Sequence, residues 1–316
     1  MLTGESHLAF FYVLVWRLQL KTSLGFIGLG LMGTPLATRL LNADYPLAVF
    51  NRTKEKAAGL ITQGARWCRS PKEVAEQSEI VFSMVSTSEV LAEFAAGKDG
   101  VIHGLRRGCL HVDMSTVSPV TTERLTAEYK SHGCLFIHSP VLGSVPQATD
   151  GSLLLFVGGS DEAFRSAKPV LKILGGKIWR FERPEQASYT KLLCNLFIGA
   201  MGTTLAQALV LAQKADVNPE TLLDILDHSS LSAPMYQTKG KSILDRNFSP
   251  RFFVQHMLKD LNLILDAGKR RQVPLPGIEA SQKMFAEAAA AGFGREDYSA
   301  VVKVLERQAG IEVRKP

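Results

Sequence analysis

The stretch Gly25-Phe26-Ile27-Gly28-Leu29-Gly30-Leu31-Met32-Gly33 decides the fold of this 316-residue chain. It ends an apolar strand and opens a helix, and its glycines follow the GxGxxG spacing of a dinucleotide-binding turn. In such a turn Gly28 permits the tight bend, Gly30 lets the backbone approach a pyrophosphate, and Gly33 lets the helix pack close to the strand. The helix N-terminus offers free N–H groups to the anion. A glycine-rich turn can also be purely structural, so the next strand has to be considered as well.

The end of the next predicted strand indicates which dinucleotide is preferred. Leu47–Phe50 is followed by Asn51, Arg52 and Thr53. An NAD site carries Asp or Glu roughly 20 residues after the glycines, to hold the ribose 2′-hydroxyl. Here Arg52 offers a guanidinium suited to a 2′-phosphate, with Asn51, Thr53 and Lys54 as further donors. The alternative is that Arg52 is a solvated loop charge. The sequence favours NADP(H).

Composition limits the class of protein. The chain is long enough for two domains, and 46% hydrophobic residues suffice for buried cores. The net charge is +6, but no dense Lys/Arg block is present, so we expect small anionic ligands rather than nucleic acid. The four cysteines show neither CxxC spacing nor a histidine pattern for a metal. We therefore expect reduced thiols, a cytoplasmic protein and no metal.

Residues 1–21 precede the glycine turn and its strand. Leu8–Trp16 is wholly apolar, yet it is much shorter than the roughly 20 residues that a membrane span needs. Glu5 stands where a secretory signal carries basic residues, and no small-residue cleavage site follows. A weak anchor, an added strand and an extension from an upstream start codon remain open. We expect a dispensable extension and no membrane span.

Residues 22–184 are predicted to form an α/β domain, because short apolar strands alternate with amphipathic helices. This alternation indicates a doubly wound parallel sheet. The predicted strands are Leu24–Gly28, Leu47–Phe50, Ile80–Val85, Leu110–Asp113, Leu135–Ser139 and Leu153–Val157.

Residues 185–316 are predicted to form an all-helical domain. Its first helix, Ser188–Ala215, is long and too apolar to be solvated on all sides. Asn218-Pro219-Glu220 then caps a new helix. Further helices are predicted at Met257–Arg271, Gly277–Ala291 and Ala300–Gln308.

Lys191 and Asn195 are the candidate catalytic residues of the long helix. Four residues apart, they share one helix face. A partly desolvated lysine has a lowered pKa and can donate a proton near neutral pH. The structural alternatives are a lysine that extends from a buried stem to solvent and an asparagine that bonds between helices.

Two loops after predicted strands are expected to face this helix, because open α/β sheets bind ligands at the carboxyl ends of their strands. The first is Asp113-Met114-Ser115-Thr116. The second is Ser139-Pro140-Val141-Leu142-Gly143-Ser144, whose hydroxyls and free backbone N–H groups suit a carboxylate.

Together these motifs resemble the β-hydroxyacid dehydrogenase family, the 3-hydroxyisobutyrate dehydrogenase-like enzymes, over about residues 23–305. The chain is most similar to glyoxylate/succinic semialdehyde reductases, in Asn51-Arg52-Thr53, Leu222–Asp227, the Lys259-Asp260 pair and Tyr298–Val302. The resemblance implies an N-terminal Rossmann domain and a long interdomain helix. It also implies a C-terminal helical domain shared between subunits of a homodimer or homotetramer.

The resemblance also implies residue roles. NADPH would give a hydride to an aldehyde while the Lys191 ammonium protonates its oxygen, and Asp260 would help to keep Lys191 charged. Asn195 would hold the substrate and Lys191 in register, and Phe252 would form an apolar wall. The expected cofactor contacts are Gly28, Gly30, Leu31, Met32, Gly33, Asn51, Arg52, Thr53, Val85, Thr116 and Lys259. The expected substrate contacts are Thr116, Leu142, Gly143, Ser144, Lys191, Asn195, Phe252 and Asp260.

The chain departs from the family pattern at two places. Leu142 replaces a serine that binds substrate, which removes a donor and favours longer or less polar aldehydes, although Ser144 offers a substitute. Glu185 and Ala187 stand where the family has Gly-x-Gly before the lysine. A side chain at Glu185 would press on the cofactor or shift the start of the helix.

Three functions remain open on the sequence. The first is NADPH-dependent reduction of a short carboxylate-bearing aldehyde, such as succinic semialdehyde or glyoxylate. The second is oxidation of a 3-hydroxyacid, or imine reduction, on the same fold; imine reductases generally replace the lysine. The third is a non-catalytic dinucleotide-binding scaffold. The presence of Lys191 and Asn195 favours the first.

Overall fold

The protein is described here by a computed structural model that covers residues 21–315. The extension expected for residues 1–21 lies outside the described residues, apart from Lys21.

A nine-stranded sheet forms the N-terminal half. Its strands are β1 (Leu24–Ile27), β2 (Leu47–Phe50), β3 (Arg66–Trp67), β4 (Ile80–Ser83), β5 (Leu110–Asp113), β6 (Leu135–His138), β7 (Val141–Leu142), β8 (Leu153–Gly158) and β9 (Gly175–Phe181). The strand order is β3-β2-β1-β4-β5-β6-β8-β7, and β9 pairs with β8. From β3 to β6 every pair is parallel, so the predicted α/β fold is confirmed.

One edge of the sheet departs from the parallel pairing that the sequence predicted. β8 pairs antiparallel with both β6 and β7. Only the two-residue strand β7 and the six-residue helix Val145–Asp150 separate β6 from β8. The chain turns back after β7 through this short helix, so that β8 runs antiparallel beside β7 and then beside β6.

Helices cover both faces of the sheet. They are α1 (Gly33–Asn42), α2 (Ala58–Thr62), α3 (Pro71–Glu76), α4 (Ser88–Ala96), α5 (Pro119–Ser131), α6 (Val145–Asp150) and α7 (Asp161–Leu174). Neighbouring strand residues point to opposite faces. Phe82 accordingly joins the apolar cluster that includes residues of α1 and α7, and Val81 joins the cluster that includes residues of α4 and α5.

The C-terminal half is helical, as predicted. Its helices are α8 (Pro184–Lys214), α9 (Pro219–Asp227), α10 (Pro234–Leu244), α11 (Val254–Arg270), α12 (Pro276–Ala288) and α13 (Val302–Ala309). Asn218 caps α9 by accepting the Glu220 N–H, as its sequence indicated. Helix α10 was not predicted.

The 31-residue helix α8 connects the two halves. It packs against α5 and β8 on one side and against α11, α12 and α13 on the other. It begins four residues earlier than predicted, because Pro184 occupies its first position and Gln186 bonds back to the Arg183 backbone. It is long and apolar enough to cross a membrane, but its packing is that of a central core helix.

Candidate active site

The glycine turn leaves open space where a phosphate would approach. Gly28 has a φ of +95°, and a Cβ there would lie 2.2 Å from the Met84 carbonyl oxygen. A Cβ on Gly33 would lie 1.8 Å from the carbonyl oxygen of Gly28. A Cβ on Gly30 would meet nothing within 4 Å. Only glycine therefore fits the turn at Gly28 and Gly33, while the space beside Gly30 is free, which suits a dinucleotide pyrophosphate.

The segment after β2 braces this turn. The Asn51 side chain accepts the Leu29 N–H at 2.9 Å and donates to the Thr53 carbonyl at 2.8 Å. Asn51 is therefore engaged within the chain, and one of the two N–H groups of its amide is committed to Thr53. Arg52 is exposed and forms no ion pair within residues 21–315. Its guanidinium is free to meet a ligand beside the turn.

Val85 connects the glycine turn to the loop after β5. Its Cγ1 would lie 3.3 Å from a Cβ at Gly28. Its backbone N–H donates to the Ser115 hydroxyl at 2.8 Å, next to Thr116 in the chain. Gly28, Val85 and the loop that carries Thr116 are therefore neighbours in the structure.

Lys191 is buried in the second turn of α8, with 8% of its surface exposed. Burial lowers its pKa to about 8, and the nearby Asp260 carboxylate acts in the opposite direction. A lysine with this pKa is a proton donor as the ammonium near neutral pH and a proton acceptor as the neutral amine at alkaline pH.

Asn195 lies one turn after Lys191 on the same helix face. Its Nδ2 donates to Oδ2 of Asp260 at 2.5 Å, and both residues are buried. The Asn195 Oδ1 is buried without a hydrogen-bond partner within residues 21–315. This oxygen is the acceptor through which Asn195 can orient an ammonium or a substrate hydroxyl.

Lys259 joins the helical half to the sheet. Its ammonium lies 2.8 Å from Oδ1 of Asp260 and donates to the Thr116 carbonyl at 2.6 Å. Nearby, the Ser188 hydroxyl donates to the Val117 carbonyl at 2.7 Å. These contacts bring the loop after β5, helix α8 and helix α11 together. Lys259 therefore bonds the loop that carries Thr116, which is itself one of the expected cofactor contacts.

The Ser139–Ser144 segment, which was expected to bind the substrate carboxylate, makes more bonds within the chain than its sequence indicated. Leu142 pairs with Leu154 in the antiparallel edge of the sheet. Gly143 has a φ of +139°, a region that favours glycine. The Ser144 N–H and hydroxyl both donate to Oε1 of Gln147, at 2.9 and 3.2 Å. The expectation of free donors at Ser144 is thus wrong, because they cap α6 and do not replace the donor lost at Leu142.

Phe252 is half-buried two residues before α11, the helix that carries Asp260. Its carbonyl accepts the Tyr298 N–H at 2.8 Å, and its ring centroid lies 6.1 Å from that of His256. Asp297 accepts the Phe252 N–H at 3.4 Å and pairs with the buried Lys239. The backbone of Phe252 is therefore fixed beside the helix of Asp260.

Sequence reasoning missed a buried polar network at the ends of β4, β5 and β6. Asp113 and His138 are fully buried, and His138 Nδ1 lies 3.0 Å from Oδ2 of Asp113. Burial alone would raise the pKa of Asp113, but the hydrogen bond and charge of His138, with smaller contributions from Ser115 and His111, outweigh it and lower that pKa. The sequence feature that could have indicated the network is a polar residue at the end of each of two apolar strands, Asp113 in β5 and His138 in β6.

Comparison with known protein families covers both halves of the chain. Residues 23–181 match the family described as the NAD binding domain of 6-phosphogluconate dehydrogenase. Residues 186–305 match the family described as the NAD-binding region of NADP-dependent 3-hydroxyisobutyrate dehydrogenase.

Individual relatives cover nearly the whole chain. Glyoxylate/succinic semialdehyde reductase 2 of Arabidopsis thaliana is 32% identical over 284 residues, which are 90% of this chain and 79% of the relative. The 2-(hydroxymethyl)glutarate dehydrogenase of Eubacterium barkeri is 34% identical over 297 residues, 94% of this chain and 99% of the relative. The solved structure of Psf3 in complex with NADP+ and 2-OPP superposes with a TM-score of 0.81 at 27% identity, covering 89% of this chain and 99% of that one.

Fold, site and relatives define an oxidoreductase that takes a nicotinamide dinucleotide and acts on hydroxyacids. The chain belongs to the 3-hydroxyisobutyrate dehydrogenase-like family of β-hydroxyacid dehydrogenases, which confirms the resemblance seen in its motifs.

Proposed function

We propose that this protein uses NADPH to reduce a short aldehyde carrying a carboxylate, of the succinic semialdehyde or glyoxylate type, to the hydroxyacid. The observation that carries the proposal is the buried Lys191, whose pKa lies near 8 beside the bonded pair Asn195 and Asp260. A proton donor of this strength suits carbonyl reduction at neutral pH.

The residues of the site divide the work of the reaction. When bound, NADPH supplies the hydride for the carbonyl carbon. The Lys191 ammonium donates its proton to the carbonyl oxygen, so that an aldehyde, a hydride and a proton become an alcohol. Asn195 Oδ1, which has no hydrogen-bond partner within residues 21–315, is left free to accept from the Lys191 ammonium or from the hydroxyl that forms. Asp260 favours the charged form of Lys191, and Lys259 keeps Asp260 next to the Thr116 loop.

The preference for NADPH is supported by Arg52. It follows β2, where an NAD enzyme would carry an acidic residue, and its exposed guanidinium suits a 2′-phosphate. The related Psf3 structure contains NADP+, and the matching C-terminal family is named for an NADP-dependent enzyme.

The substrate class is supported by the named relatives, one of which is a glyoxylate/succinic semialdehyde reductase. Leu142 places an apolar side chain where the family serine would donate, and Ser144 is engaged with Gln147. Since a short acid depends most on that lost donor, we expect succinic semialdehyde to be reduced better than glyoxylate.

The test is NADPH oxidation with succinic semialdehyde, glyoxylate and less polar aldehydes, by the native protein and by Lys191→Ala. Lys283→Ala, an exposed lysine of α12, is the matched control. We expect Lys191→Ala to lose turnover while binding NADPH, and Lys283→Ala to behave as native. Full activity of Lys191→Ala would exclude the proposed role. NADPH binding without turnover of any aldehyde by the native protein would favour a scaffold.

Oxidation of a 3-hydroxyacid is the second candidate. Above pH 8 Lys191 is increasingly neutral and can accept the proton that the alcohol loses. The relative named 2-(hydroxymethyl)glutarate dehydrogenase supports this direction. Measuring NADP+ reduction with 3-hydroxyacids at pH 9 distinguishes oxidation of a 3-hydroxyacid from reduction of an aldehyde.

We also propose that the chain forms a homodimer or homotetramer in the cytoplasm. Leu193, Phe197 and Leu211 of α8 expose 58, 64 and 70% of their surface, and a second copy would cover them. The four cysteines are free thiols, which fits a reducing compartment. Light scattering after gel filtration would detect a monomer and refute the assembly.

A further inference from the structure

The carboxyl ends of β4, β5 and β6 meet at one buried carboxylate. The hydroxyls of Ser83 and Ser115 each donate to Oδ1 of Asp113 at 2.7 Å. His138 Nδ1 lies 3.0 Å from Oδ2, and since an ionised carboxylate only accepts hydrogen bonds, Nδ1 is the donor. Ser115 in turn accepts the Val85 N–H at 2.8 Å. One carboxylate thus joins three neighbouring strands.

Each of these strand ends leads into a segment of the candidate active site. Val85 follows β4, and Thr116 lies three residues after Asp113. His138 is followed directly by Ser139, whose N–H donates to the Asp113 carbonyl at 2.6 Å. The side chain and the backbone of Asp113 therefore both hold the start of the Ser139–Ser144 segment.

We propose that Asp113 and His138 are a positioning pair, which holds the Ser139–Ser144 segment in register with Thr116 and so shapes the carboxylate end of the substrate pocket. The inference rests on the proposed function. Neither residue touches the reacting atoms; both act through the two loops.

The position of the pair distinguishes it from an ordinary core contact. β5 and β6 are already paired along their length by backbone bonds, so the sheet does not need a buried carboxylate to form. Burying an ion destabilises a fold unless the ion is well bonded. This charge lies at the edge of the sheet where open α/β proteins bind ligands.

The far end of the network supplies a matched control. His111 Nε2 lies 2.8 Å from the Ser83 hydroxyl, and His111 Nδ1 lies 2.7 Å from the Tyr129 hydroxyl. Burial lowers the pKa of His111 to about 4, against the effect of Asp113, so this histidine is neutral near pH 7. Tyr129 lies on α5 and is fully buried. Its hydroxyl belongs to the same network but to none of the active-site loops.

The test compares His138→Leu, His138→Asn and Tyr129→Phe with the native protein. Asparagine places an amide N–H near the position of Nδ1, whereas leucine removes the donor. Hydrogen exchange, read by mass spectrometry on peptides covering residues 139–147, measures the order of the segment without any turnover. The KM for succinic semialdehyde and the NADPH dissociation constant are measured in parallel.

We expect His138→Leu to accelerate exchange in residues 139–147 and to raise the KM about tenfold or more, because small misplacements of a binding segment are costly. The NADPH dissociation constant should stay within about twofold of native, and His138→Asn should recover most of the loss. Tyr129→Phe should lower the melting temperature without changing exchange in this segment. Ser115→Ala, which removes one bond to Asp113 and the acceptor of the Val85 N–H but keeps the His138–Asp113 bond, is the second variant if His138→Leu does not fold. It should accelerate exchange in residues 139–147 less.

Equal effects of His138→Leu and Tyr129→Phe on exchange and KM would show that the network only stabilises the fold, and would overturn the proposal. So would unchanged exchange in residues 139–147 of both His138→Leu and Ser115→Ala. If the native protein reduces no aldehyde, the proposed function fails, while the exchange data still decide whether the pair positions the segment.

Discussion

The amide of Asn195 donates to the carboxylate of Asp260 at 2.5 Å, across the contact between α8 and α11. This bond occupies Nδ2 of Asn195 and leaves Oδ1 without a partner within residues 21–315. It also places the Asp260 charge where it counteracts the effect of burial on Lys191. The chemistry of the lysine is therefore set from a different helix.

The reduction rate should fall as the pH rises through about 8. Reduction needs the charged form of Lys191, and burial lowers its pKa to about 8. The charged form predominates below that pH and is lost above it. Rates measured from pH 6 to 10 at saturating NADPH and aldehyde test this, and a flat profile up to pH 10 would contradict it.

Asp260→Asn should move the midpoint of that profile to lower pH by about one unit or more. Asp260 raises the pKa of Lys191, so removing its charge lets burial lower that pKa further. Asp266→Asn on the same helix is the matched control, since Asp266 is exposed. Equal midpoints for the two variants would rule out the coupling.

Lys191→Met should be more stable than the native protein at pH 7, by up to about 3 kcal/mol. The lysine pKa falls from 10.5 to about 8 on folding, and each unit corresponds to about 1.4 kcal/mol. A group whose pKa is lowered by folding destabilises fully below the folded pKa, and the penalty fades between pH 8 and 10.5. Urea unfolding at pH 7 and 10 should show the gap shrinking; a less stable Lys191→Met at pH 7 would refute the account.

Arg52→Asp should reduce or reverse the preference for NADPH over NADH. The substitution removes the cation for the 2′-phosphate and adds an acceptor for a ribose hydroxyl. We expect about a hundredfold change in the ratio of kcat/KM values, about 2.7 kcal/mol, within the range of charged hydrogen bonds. Arg165→Asp changes the charge equally on the exposed side of α7 and should leave the ratio unchanged. Equal use of both cofactors by the native protein would refute this interpretation of Arg52.

Leu142→Ser should raise kcat/KM for glyoxylate relative to that for less polar aldehydes, by about tenfold. One added hydrogen bond to a charged carboxylate is worth about 1.5–3 kcal/mol. Comparing the ratio of two substrates within each variant removes effects on enzyme stability. An unchanged ratio would place Leu142 outside the substrate pocket.

The sequence predicted most of the sheet because its strands are short apolar runs bounded by turns. β2 and β5 were predicted to the residue, and the glycine turn indicated the edge of the sheet where we propose that the cofactor binds. The lysine, asparagine and aspartate that meet at the helices were also named in advance. Their juxtaposition followed from family resemblance, because no local pattern joins Asn195 to Asp260.

Features that depend on distant contacts were not predicted. The antiparallel edge arises from a short return of the chain, and the use of Ser144 as a helix cap depends on Gln147. Helix α10 contains Lys239 and Gly240 and has a weakly apolar sequence. The buried partner of Lys239 is Asp297, which lies 58 residues later in the chain. The Asp113–His138 bond likewise needs β5 and β6 to be paired first.

Helix α8 has a consequence for how the molecule unfolds. Its first turns pack on β8 and α5, and its later turns belong to the apolar core of the C-terminal half, so one continuous helix contributes to both lobes. If either lobe unfolded, the part of this helix that packs on it would lose its contacts. Apolar surface of the helix and of the remaining lobe would then be exposed to water. Although the two cores are separate, we expect a single calorimetric transition, with no stable half-molecule.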